Sequence, residues 1–474
     1  QFQVATPAGG IPLGPAPTVP RAPGDTMAFH SRPDLLAPAV SILKRSPRAS
    51  RKDIFLSPQF GPLQNGPMIL DSHGHLVWFQ PAPPGELAGD FRVQTYQGNP
   101  VLTWWQGYAG AGAGDGRDLI YSTSYQQLAS INAGNGLSAD MHEFLITPGG
   151  TALITAYFPV YWDTSSIRGP KKQVVFDSVV QEIDIPTGLV LYQWDSLDHV
   201  PLVDSYAHLP RRAGLPYDYF HVNSATLDVD GNPIISGRNV WAVYKVSDSS
   251  GAILWTLGGK ASSFRVAAAA HFAFQHDVEV RAANDRYVTL FDNGAGPPRV
   301  QPQSRALKLK LDLERHTAKL VMADQHSPAL STNFEGNVQE LAGGDDFVGW
   351  GQQPYFSEFD SRGRLLLDGR FVGETSSYRA YMSNWGGMPT GAPSIAAVRT
   401  GKTDTVFASW NGATQIARWR VLGGRSGNRL GPLKVVPKLG FETTIVVPAV
   451  RHVSVVALNS AGAVLGRSDV AHPH

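Results

Sequence analysis

The stretch FHVNSATLDVDGNPIIS at residues 220–236 decides the fold class. A polar residue, His221, enters a strand-like run, the turn residues DGN follow, and a second apolar run begins. Two such runs joined by Asp-Gly are typical of a β-hairpin. Comparable stretches recur along the chain: DFRVQTYQGNPVLTW at 90–104, MHEFLITPGGTALITAY at 141–157, QHDVEVRAANDRYVTLFDNG at 275–294, GNVQELAGGDDFVGW at 336–350 and SIAAVRTGKTDTVFASW at 394–410.

The spacing of these copies predicts the architecture. Successive entry residues are 50, 79, 55, 61 and 57 positions apart, and they are Arg92, His142, His221, His276, Asn337 and Ser394. Periods of this size suit propeller blades of four strands each. A second repeat, with a turn containing glycine before an apolar strand, falls between copies of the first as outer strands should: DSHGHLVWF, IPTGLVLYQW, SSGAILWTL and DSRGRLLLDG. The sequence therefore predicts an all-β, six-bladed β-propeller.

Composition supports an all-β domain and excludes several function classes. The 474 residues are 42% hydrophobic and 17% charged, with 49 glycines and 35 prolines, which suits many short strands joined by tight turns. A net charge of +1 does not indicate a basic surface for binding nucleic acid. No apolar run is long enough to span a bilayer. The absence of cysteine excludes disulfides and thiol nucleophiles. We expect no cofactor.

The ends of the chain are expected to differ from the propeller. We predict a Pro-rich N-terminal arm at 1–50, the catalytic propeller at 51–424 and a small β-sandwich-like C-terminal module at 425–474. The segment PAVSIL at 38–43 is expected to add a strand to that module. Because the chain starts at Gln1 and then runs through a Pro-rich lead, we expect a secreted or periplasmic protein whose signal peptide has been removed.

The repeat places His142, His221 and His276 at equivalent positions in three blades. Inner strands line the axial channel of a propeller, so these side chains are expected to face one pocket. Asn223 lies two residues beyond His221 on the same strand face, and Arg238 follows on the hairpin return. Strand-end histidines bonded to backbone carbonyls are the structural alternative. A metal site is a further alternative, although no close His-x-His spacing supports it.

Three other features are weighed against this cluster. The DVDGN turn at 228–232 has the first ligands of a calcium loop but lacks the distal Glu, so a plain turn is expected. The glycines of GAGAGDGR at 110–117 indicate a loop over a channel mouth rather than a phosphate loop. Several aromatic side chains form either a substrate pocket or ordinary core: Trp104, Trp105, Tyr108, Tyr161 and Trp162.

The motifs of this pocket resemble those of the arylsulfate sulfotransferase family, in its actinobacterial and fungal branch. The resemblance covers roughly residues 50–420 and rests on HEF at 142–144, HVNS at 221–224 followed by Arg238, and QHD at 275–277 followed by LFDNG at 290–294. It implies a six-bladed propeller that moves a sulfuryl group from a phenolic sulfate ester to a phenolic acceptor without a nucleotide donor.

The resemblance also implies the roles of the site residues. His276 falls on the family nucleophile, which is transiently sulfated, and the assisting residues fall on His142, His221, Asn223 and Arg238. A further pocket residue of the better-known periplasmic members has no secure match near 333–337. A non-catalytic ligand-binding propeller and a propeller hydrolase that uses the same His/Arg pocket remain the alternatives.

Overall fold

In the computed structural model, residues 6–474 are described apart from 12, 14–21, 213 and 282–283. Almost all regular structure in this part of the chain is antiparallel β-sheet, which confirms the predicted all-β class. The helices among these residues are a single α-turn and three 3₁₀ turns: Ser196–His199, Ser165–Ile167, Leu202–Asp204 and Ala268–Ala270. None of the described helices is long and apolar enough to cross a membrane.

Six sheets are built from four-stranded meanders, and they are numbered here along the chain. Sheet one contains Leu87–Tyr96, Asn99–Gly110, Ala113–Tyr121 and Gln127–Ile131. Sheet two contains Phe144–Ile146, Ala152–Trp162, Gln173–Ile183 and Val190–Asp195, and the short strand Thr6–Pro7 joins it. Sheet three contains Val222–Leu227, Pro233–Gly237, Ala242–Val246 and Ile253–Gly258.

The next two meanders each carry one added strand. Sheet four contains His276–Arg281, Asn284–Asp292, Arg305–Asp312 and Thr317–Asp324, with Arg265–Val266 parallel to the last. Sheet five contains Asn337–Glu340, Asp346–Gly349, Tyr355–Phe359 and Leu365–Phe371, with Val40–Arg45 at its outer edge. Val40–Arg45 pairs with Leu365–Phe371, so the expectation that PAVSIL joins the C-terminal module is wrong.

Sheet six combines one strand from late in the chain with three strands from before sheet one. Its first strand is Ser376–Ser383, which pairs with Asp53–Gln59, and Met68–Leu70 and Leu76–Phe79 follow. The first strand of each sheet contacts the sheet before it along the chain, and Leu87–Tyr96 of sheet one contacts Ser376–Ser383 of sheet six, so the six sheets close into a ring. Buried apolar clusters fill the spaces between neighbouring sheets and hold the first strands in place.

The copy of the repeat at Ser394 lies outside this ring. Ser394–Thr400 and Thr403–Ser409 pair with Glu442–Pro448 in a three-stranded sheet. A second sheet contains Arg418–Ser426, Arg429–Pro437, His452–Leu458 and Val464–Arg467. Both sheets pack on one core around Trp410 and Trp419. Assigning Ser394 to a sixth blade is therefore wrong, because its hairpin pattern is common to any antiparallel sheet.

Candidate active site

The structure brings the three predicted histidines to one end of the ring. His142 and His221 lie just before the first strands of sheets two and three, and His276 begins the first strand of sheet four. The rings of His142 and His221 meet edge to face, with centroids 4.9 Å apart. Both rings lower the pKa of His276 electrostatically, so all three lie within one electrostatic neighbourhood. All three side chains are buried.

His142 is held by a fully bonded carboxylate. Its Nδ1 donates to Asp140, which also accepts hydrogen bonds from the backbone N–H groups of Gly114 and His142 and from the hydroxyl of Thr155. Asp140 reaches the His142 ring because residues 140–142 form a turn before the strand begins at Phe144.

His221 has an equivalent partner that sequence reasoning missed. Its Nδ1 donates to Asp218, three residues earlier in an irregular segment. His221 itself has a left-handed backbone, with φ of 57°. Burial lowers the pKa of His221, and the charge of Asp218 opposes this shift. The hairpin tip at Gly112 covers the pair, since a Cβ at Gly112 would lie 3.2 Å from His221 Cε1. The predicted loop over the channel mouth is therefore a tight hairpin.

His276 is hydrogen-bonded at both ring nitrogens. Nδ1 lies 2.7 Å from Oδ1 of Asn293 and 3.0 Å from the carbonyl oxygen of Phe274. Nε2 accepts the backbone N–H of Glu335 at 3.1 Å. Since the groups around Nδ1 are acceptors and the group at Nε2 is a donor, the proton resides on Nδ1. Asn293 belongs to the LFDNG motif, and this contact gives that motif a physical role.

The pKa of His276 lies well below that of an ordinary histidine. Burial is the larger cause, and the nearby Arg238 guanidinium adds to it, as expected for a cation beside a group that would gain positive charge. The His276 imidazole is therefore neutral at pH 7, with a lone pair on Nε2. A neutral imidazole is a competent nucleophile.

Arg238 lies beside the histidines in a polar and aromatic setting. Its backbone N–H donates to the carbonyl of His221 at 2.9 Å. The guanidinium donates to Oδ1 of Asn239 at 2.7 Å and to the carbonyl of Asn333 at 2.8 Å, and it lies 5.0 Å from the Phe274 ring centroid. Its Nε has no hydrogen-bond partner among the described residues. A planar cation with an unused donor is suited to an oxyanion.

Asn223 lies in the same inner layer, completely buried. Its Nδ2 donates to the carbonyl of Gln275, immediately before His276, at 2.6 Å. Within the described part of the chain, its Oδ1 accepts no hydrogen bond. The structure thus places Asn223 between the backbones of sheets three and four, where it links the segments that carry His221 and His276.

A buried arginine that the sequence did not single out ties these segments together. Arg379, from the first strand of sheet six, donates to the carbonyls of His142 at 2.9 Å and Asn223 at 3.1 Å. Its guanidinium forms ion pairs at 3.0–3.3 Å with three carboxylates: Asp90, Glu143 and Asp277. Sequence reasoning missed Arg379 because it assigned the sixth inner strand to the copy at Ser394, whereas the inner strand of sheet six is Ser376–Ser383.

A large cavity lies on the other side of this ion-pair network. It has a volume of about 1730 Å³, and Arg92, Asp277 and Tyr381 line it together with Glu279. Burial and neighbouring carboxylates raise the pKa of Glu279 to about 8. None of the three histidines lines this cavity. The histidines and Arg238 therefore form a site separate from it.

The remaining sequence features have structural explanations. Asp228 of the DVDGN turn accepts the backbone N–H groups of Asp230 and Asn232, each at 2.9 Å, as a plain turn requires. Among the described residues, no group of three His, Asp or Glu side chains is arranged to hold a metal ion. Trp104 and Trp105 are completely buried in the core, and Tyr108 is exposed.

Comparisons with known proteins place the chain in a family. The family model for arylsulfotransferase (ASST) matches residues 92–372, which include the three histidines, Asn223 and Arg238. No curated protein matches significantly. Among solved structures, a protein of unknown function from Bacteroides caccae is 13% identical, with 70% of this chain and 98% of that chain covered and a TM-score of 0.42.

A second similar structure is virginiamycin B lyase from Staphylococcus aureus, which is 9% identical, with 78% of this chain and 95% of that chain covered and a TM-score of 0.36. At these TM-scores neither structure bears on the function. The family match covers more than half of the chain and the whole histidine site. The chain belongs to the arylsulfotransferase family.

Proposed function

We propose that this protein transfers a sulfuryl group from a phenolic sulfate ester to a phenolic acceptor, without a nucleotide, through a sulfohistidine at His276. The observation that carries the proposal is a buried, neutral histidine beside one arginine and two further histidines, in a chain of this family. The ring of six sheets then serves as a six-bladed catalytic propeller. Residues 394–467 form the C-terminal module, so we place the boundary near residue 390.

Arg238 supplies the positive charge that the donor requires. A sulfate monoester carries one negative charge spread over its terminal oxygens, and a planar guanidinium can bond two of them at once. At present one of its N–H groups donates to the Asn333 carbonyl. Binding of the donor exchanges that carbonyl for a sulfuryl oxygen. A charged donor in a buried site stabilises developing charge more strongly than it would in water.

His276 supplies the nucleophile. Nε2 attacks sulfur, the N–S bond forms, and the S–O bond to the aryl group breaks with its electron pair on the departing phenolate. Asn293 and the Phe274 carbonyl keep the proton on Nδ1, so Nε2 is the atom with the lone pair. In the second half-reaction the acceptor phenol oxygen attacks sulfur, and the N–S electron pair returns to Nε2.

The other two histidines are placed for proton transfer. Each donates through Nδ1 to a carboxylate, and among the described residues neither Nε2 has a hydrogen-bond partner. A histidine in that state can protonate the leaving phenolate and later accept the proton of the incoming phenol. In this proposed mechanism, Asn223 and Arg379 fix the backbone segments that carry the histidines.

The experiment is incubation of the purified protein with a chromogenic aryl sulfate, with and without added phenol and with no nucleotide. The proposal predicts that phenol accelerates release of the chromophore and that phenyl sulfate accumulates in equal amount. Release of inorganic sulfate unaffected by phenol would identify a hydrolase instead. No release under any condition would leave only a binding role.

Arg238 provides a sharper test within the same assay. Arg238→Lys keeps the positive charge but lacks the planar pair of N–H donors, so this variant should be far less active than the wild type. Loss of such a donor costs about 2.7–4 kcal/mol of transition-state stabilisation, or roughly 10²–10³ in kcat. Ordinary turnover in folded Arg238→Lys would remove Arg238 from the proposed role.

A further inference from the structure

The two His–Asp pairs of the site are built differently. Asp140 is completely buried, and its two oxygens accept hydrogen bonds from three neutral donors besides the His142 ring. Its negative charge is therefore already divided among several bonds. A carboxylate in that state holds a side chain in place but responds weakly when the partner ring gains or loses a proton.

Asp218 has far fewer partners. Within the described residues, its side chain accepts a hydrogen bond only from Nδ1 of His221, through Oδ2, and Oδ1 is buried with no hydrogen-bond partner. Its backbone carbonyl accepts Nδ2 of Asn239 at 2.6 Å, which fixes the residue in position. The charge of Asp218 is thus concentrated on the His221 ring, where it stabilises an imidazolium.

Asp218 also links His221 to the cation of the site. The carboxylate of Asp218 opposes the lowering of the Arg238 pKa that burial causes, so the two groups lie close together. The Gly112 hairpin tip lies over the same pair, since a Cβ there would be 3.8 Å from Asp218 Oδ2. His221 and Arg238 therefore lie together under the Gly112 hairpin. Asp140, by contrast, accepts its other described hydrogen bonds from its own turn, from Gly114 of sheet one and from Thr155 of sheet two.

We propose that Asp218 is a positioning residue that makes His221 the proton-transfer group, and that His142 with Asp140 is a fixed framework pair. This inference rests on the proposed sulfuryl transfer. The negative charge of the bound donor raises the pKa of the adjacent His221, so the ring takes up a second proton, on Nε2, when the donor binds. As the S–O bond to the aryl group breaks, His221 gives this Nε2 proton to the phenolate oxygen and becomes neutral. The acceptor phenol returns a proton to His221 Nε2 as its oxygen attacks sulfur. Both half-reactions together leave the proton inventory unchanged.

The test compares Asp218→Asn with Asp140→Asn on two donors, phenyl sulfate and 4-nitrophenyl sulfate. Phenol is the weaker acid, so phenolate needs a proton as it leaves, whereas 4-nitrophenolate departs readily without one. General acid catalysis contributes about 10²–10⁴-fold. We expect Asp218→Asn to lose at least about 100-fold in kcat with phenyl sulfate and less than about tenfold with the nitrophenyl donor.

Asp140→Asn is the matched control, because it changes the same atoms in the framework pair. Its loss is expected to be the same for both donors. An equal loss for both donors in Asp218→Asn, or selectivity for the leaving group in Asp140→Asn instead, would overturn the assignment. Melting temperature and circular dichroism of each variant establish that it is folded. His221→Gln tests the same step from the other side, and it must show the selectivity of Asp218→Asn.

A measurement without turnover separates this inference from the proposed function. The groups that face His221 are Asp218, His142, Arg238 and Tyr157. Titration of ¹⁵N-labelled histidine by NMR should show the His221 pKa lower in Asp218→Asn than in the wild type, since a negative charge has been removed. An unchanged His221 pKa contradicts the pairing. An inactive wild type with that shift present contradicts only the transferase proposal.

Discussion

The backbone N–H of Glu335 donates to Nε2 of His276 at 3.1 Å, so the proposed nucleophilic atom is occupied in the structure. Two residues earlier, the carbonyl of Asn333 accepts from the guanidinium of Arg238 at 2.8 Å. One segment, 333–335, therefore bonds to both the proposed nucleophile His276 and the cation Arg238. A donor that displaces the Asn333 carbonyl from Arg238 also loosens the segment that blocks His276.

This relationship predicts a change in hydrogen exchange on sulfation. A hydrogen bond of this kind contributes about 0.5–1.5 kcal/mol, so its loss should speed exchange of the Glu335 amide by up to about tenfold. The measurement is amide exchange by mass spectrometry on the peptide containing Glu335, in resting enzyme and after an aryl sulfate is added without acceptor. Unchanged protection of that amide in sulfated enzyme would contradict the account.

The pH dependence of Arg238→Gln follows from the electrostatics of His276. Arg238 helps to keep the pKa of His276 low, so its removal raises that pKa. A raised pKa means that His276 becomes protonated, and loses its nucleophilic lone pair, at a higher pH. The acid limb of kcat/KM should therefore move toward higher pH by about one unit.

Arg238→Lys is the matched control for this shift, because it keeps the positive charge while losing the fork. Its acid limb should stay near that of the wild type although its rate is reduced. A movement of the Arg238→Gln limb toward lower pH, or the same movement in both variants, would show that another group governs the limb.

The Gly112 hairpin tip is predicted to require glycine for the site as well as for the turn. Gly112 has φ of 82°, and an added Cβ would press on His221 Cε1 at 3.2 Å. Gly112→Ala should lower kcat/KM at least about tenfold by shifting His221, since small displacements of catalytic groups are costly. Gly98 has φ of 76° in another hairpin of sheet one, with nothing near its Cβ.

Gly98→Ala is therefore the control, with comparable backbone strain and no contact. Left-handed strain of this kind costs about 1–3 kcal/mol in either variant. Thermal unfolding should show a similar loss of stability in both proteins, whereas only Gly112→Ala should lose activity. Equal activities would mean that the hairpin tip does not constrain His221.

Replacing Glu335 with Gln is predicted to stabilise the folded protein by an amount that depends on pH. Burial raises the pKa of its carboxyl to about 8, and Oε2 has no hydrogen-bond partner among the described residues. Between the ordinary Glu pKa and about 8, the folded protein holds a proton that the unfolded chain has released, so stability falls as pH rises. Glu335→Gln removes this penalty, by as much as about 3 kcal/mol at pH 7.

The measurement is denaturant unfolding of Glu335→Gln and wild type at pH 5 and pH 8. The difference in unfolding free energy should be small at pH 5 and larger, in favour of the variant, at pH 8. Glu314→Gln, which changes an exposed carboxyl in the same way, is the control variant. A difference that does not depend on pH would mean that the Glu335 carboxyl is ionised in the folded protein.

Much of the ring was predictable because its first strands carry a local signal. Each of the copies that begin near Arg92, His142, His221, His276 and Asn337 contains a hairpin, and a hairpin is written in consecutive residues. Sheet six has no such signal. Ser376–Ser383 pairs with Asp53–Gln59, more than 300 positions away, and no local sequence pattern predicts that strand pairing.

The same distinction applies to the site. The histidines could be located because they occupy equivalent entry positions in the repeat. Asp218 and Asp140 lie in turns, where strand alternation does not govern direction, and Glu335 acts through its backbone N–H, which any residue carries. Side-chain identity therefore predicted the histidines of the candidate site but not the groups that hold them.

The central claim is that His276 carries the sulfuryl group, and peptide mapping tests it most directly. Wild-type protein mixed with an aryl sulfate in the absence of acceptor, and rapidly quenched, should gain one sulfuryl mass on the peptide that contains His276. His276→Asn, which keeps polarity and approximate volume, should fold normally, show no label and transfer no sulfate. A label on the peptide of His142 or His221, or ordinary transfer by His276→Asn, would contradict the account.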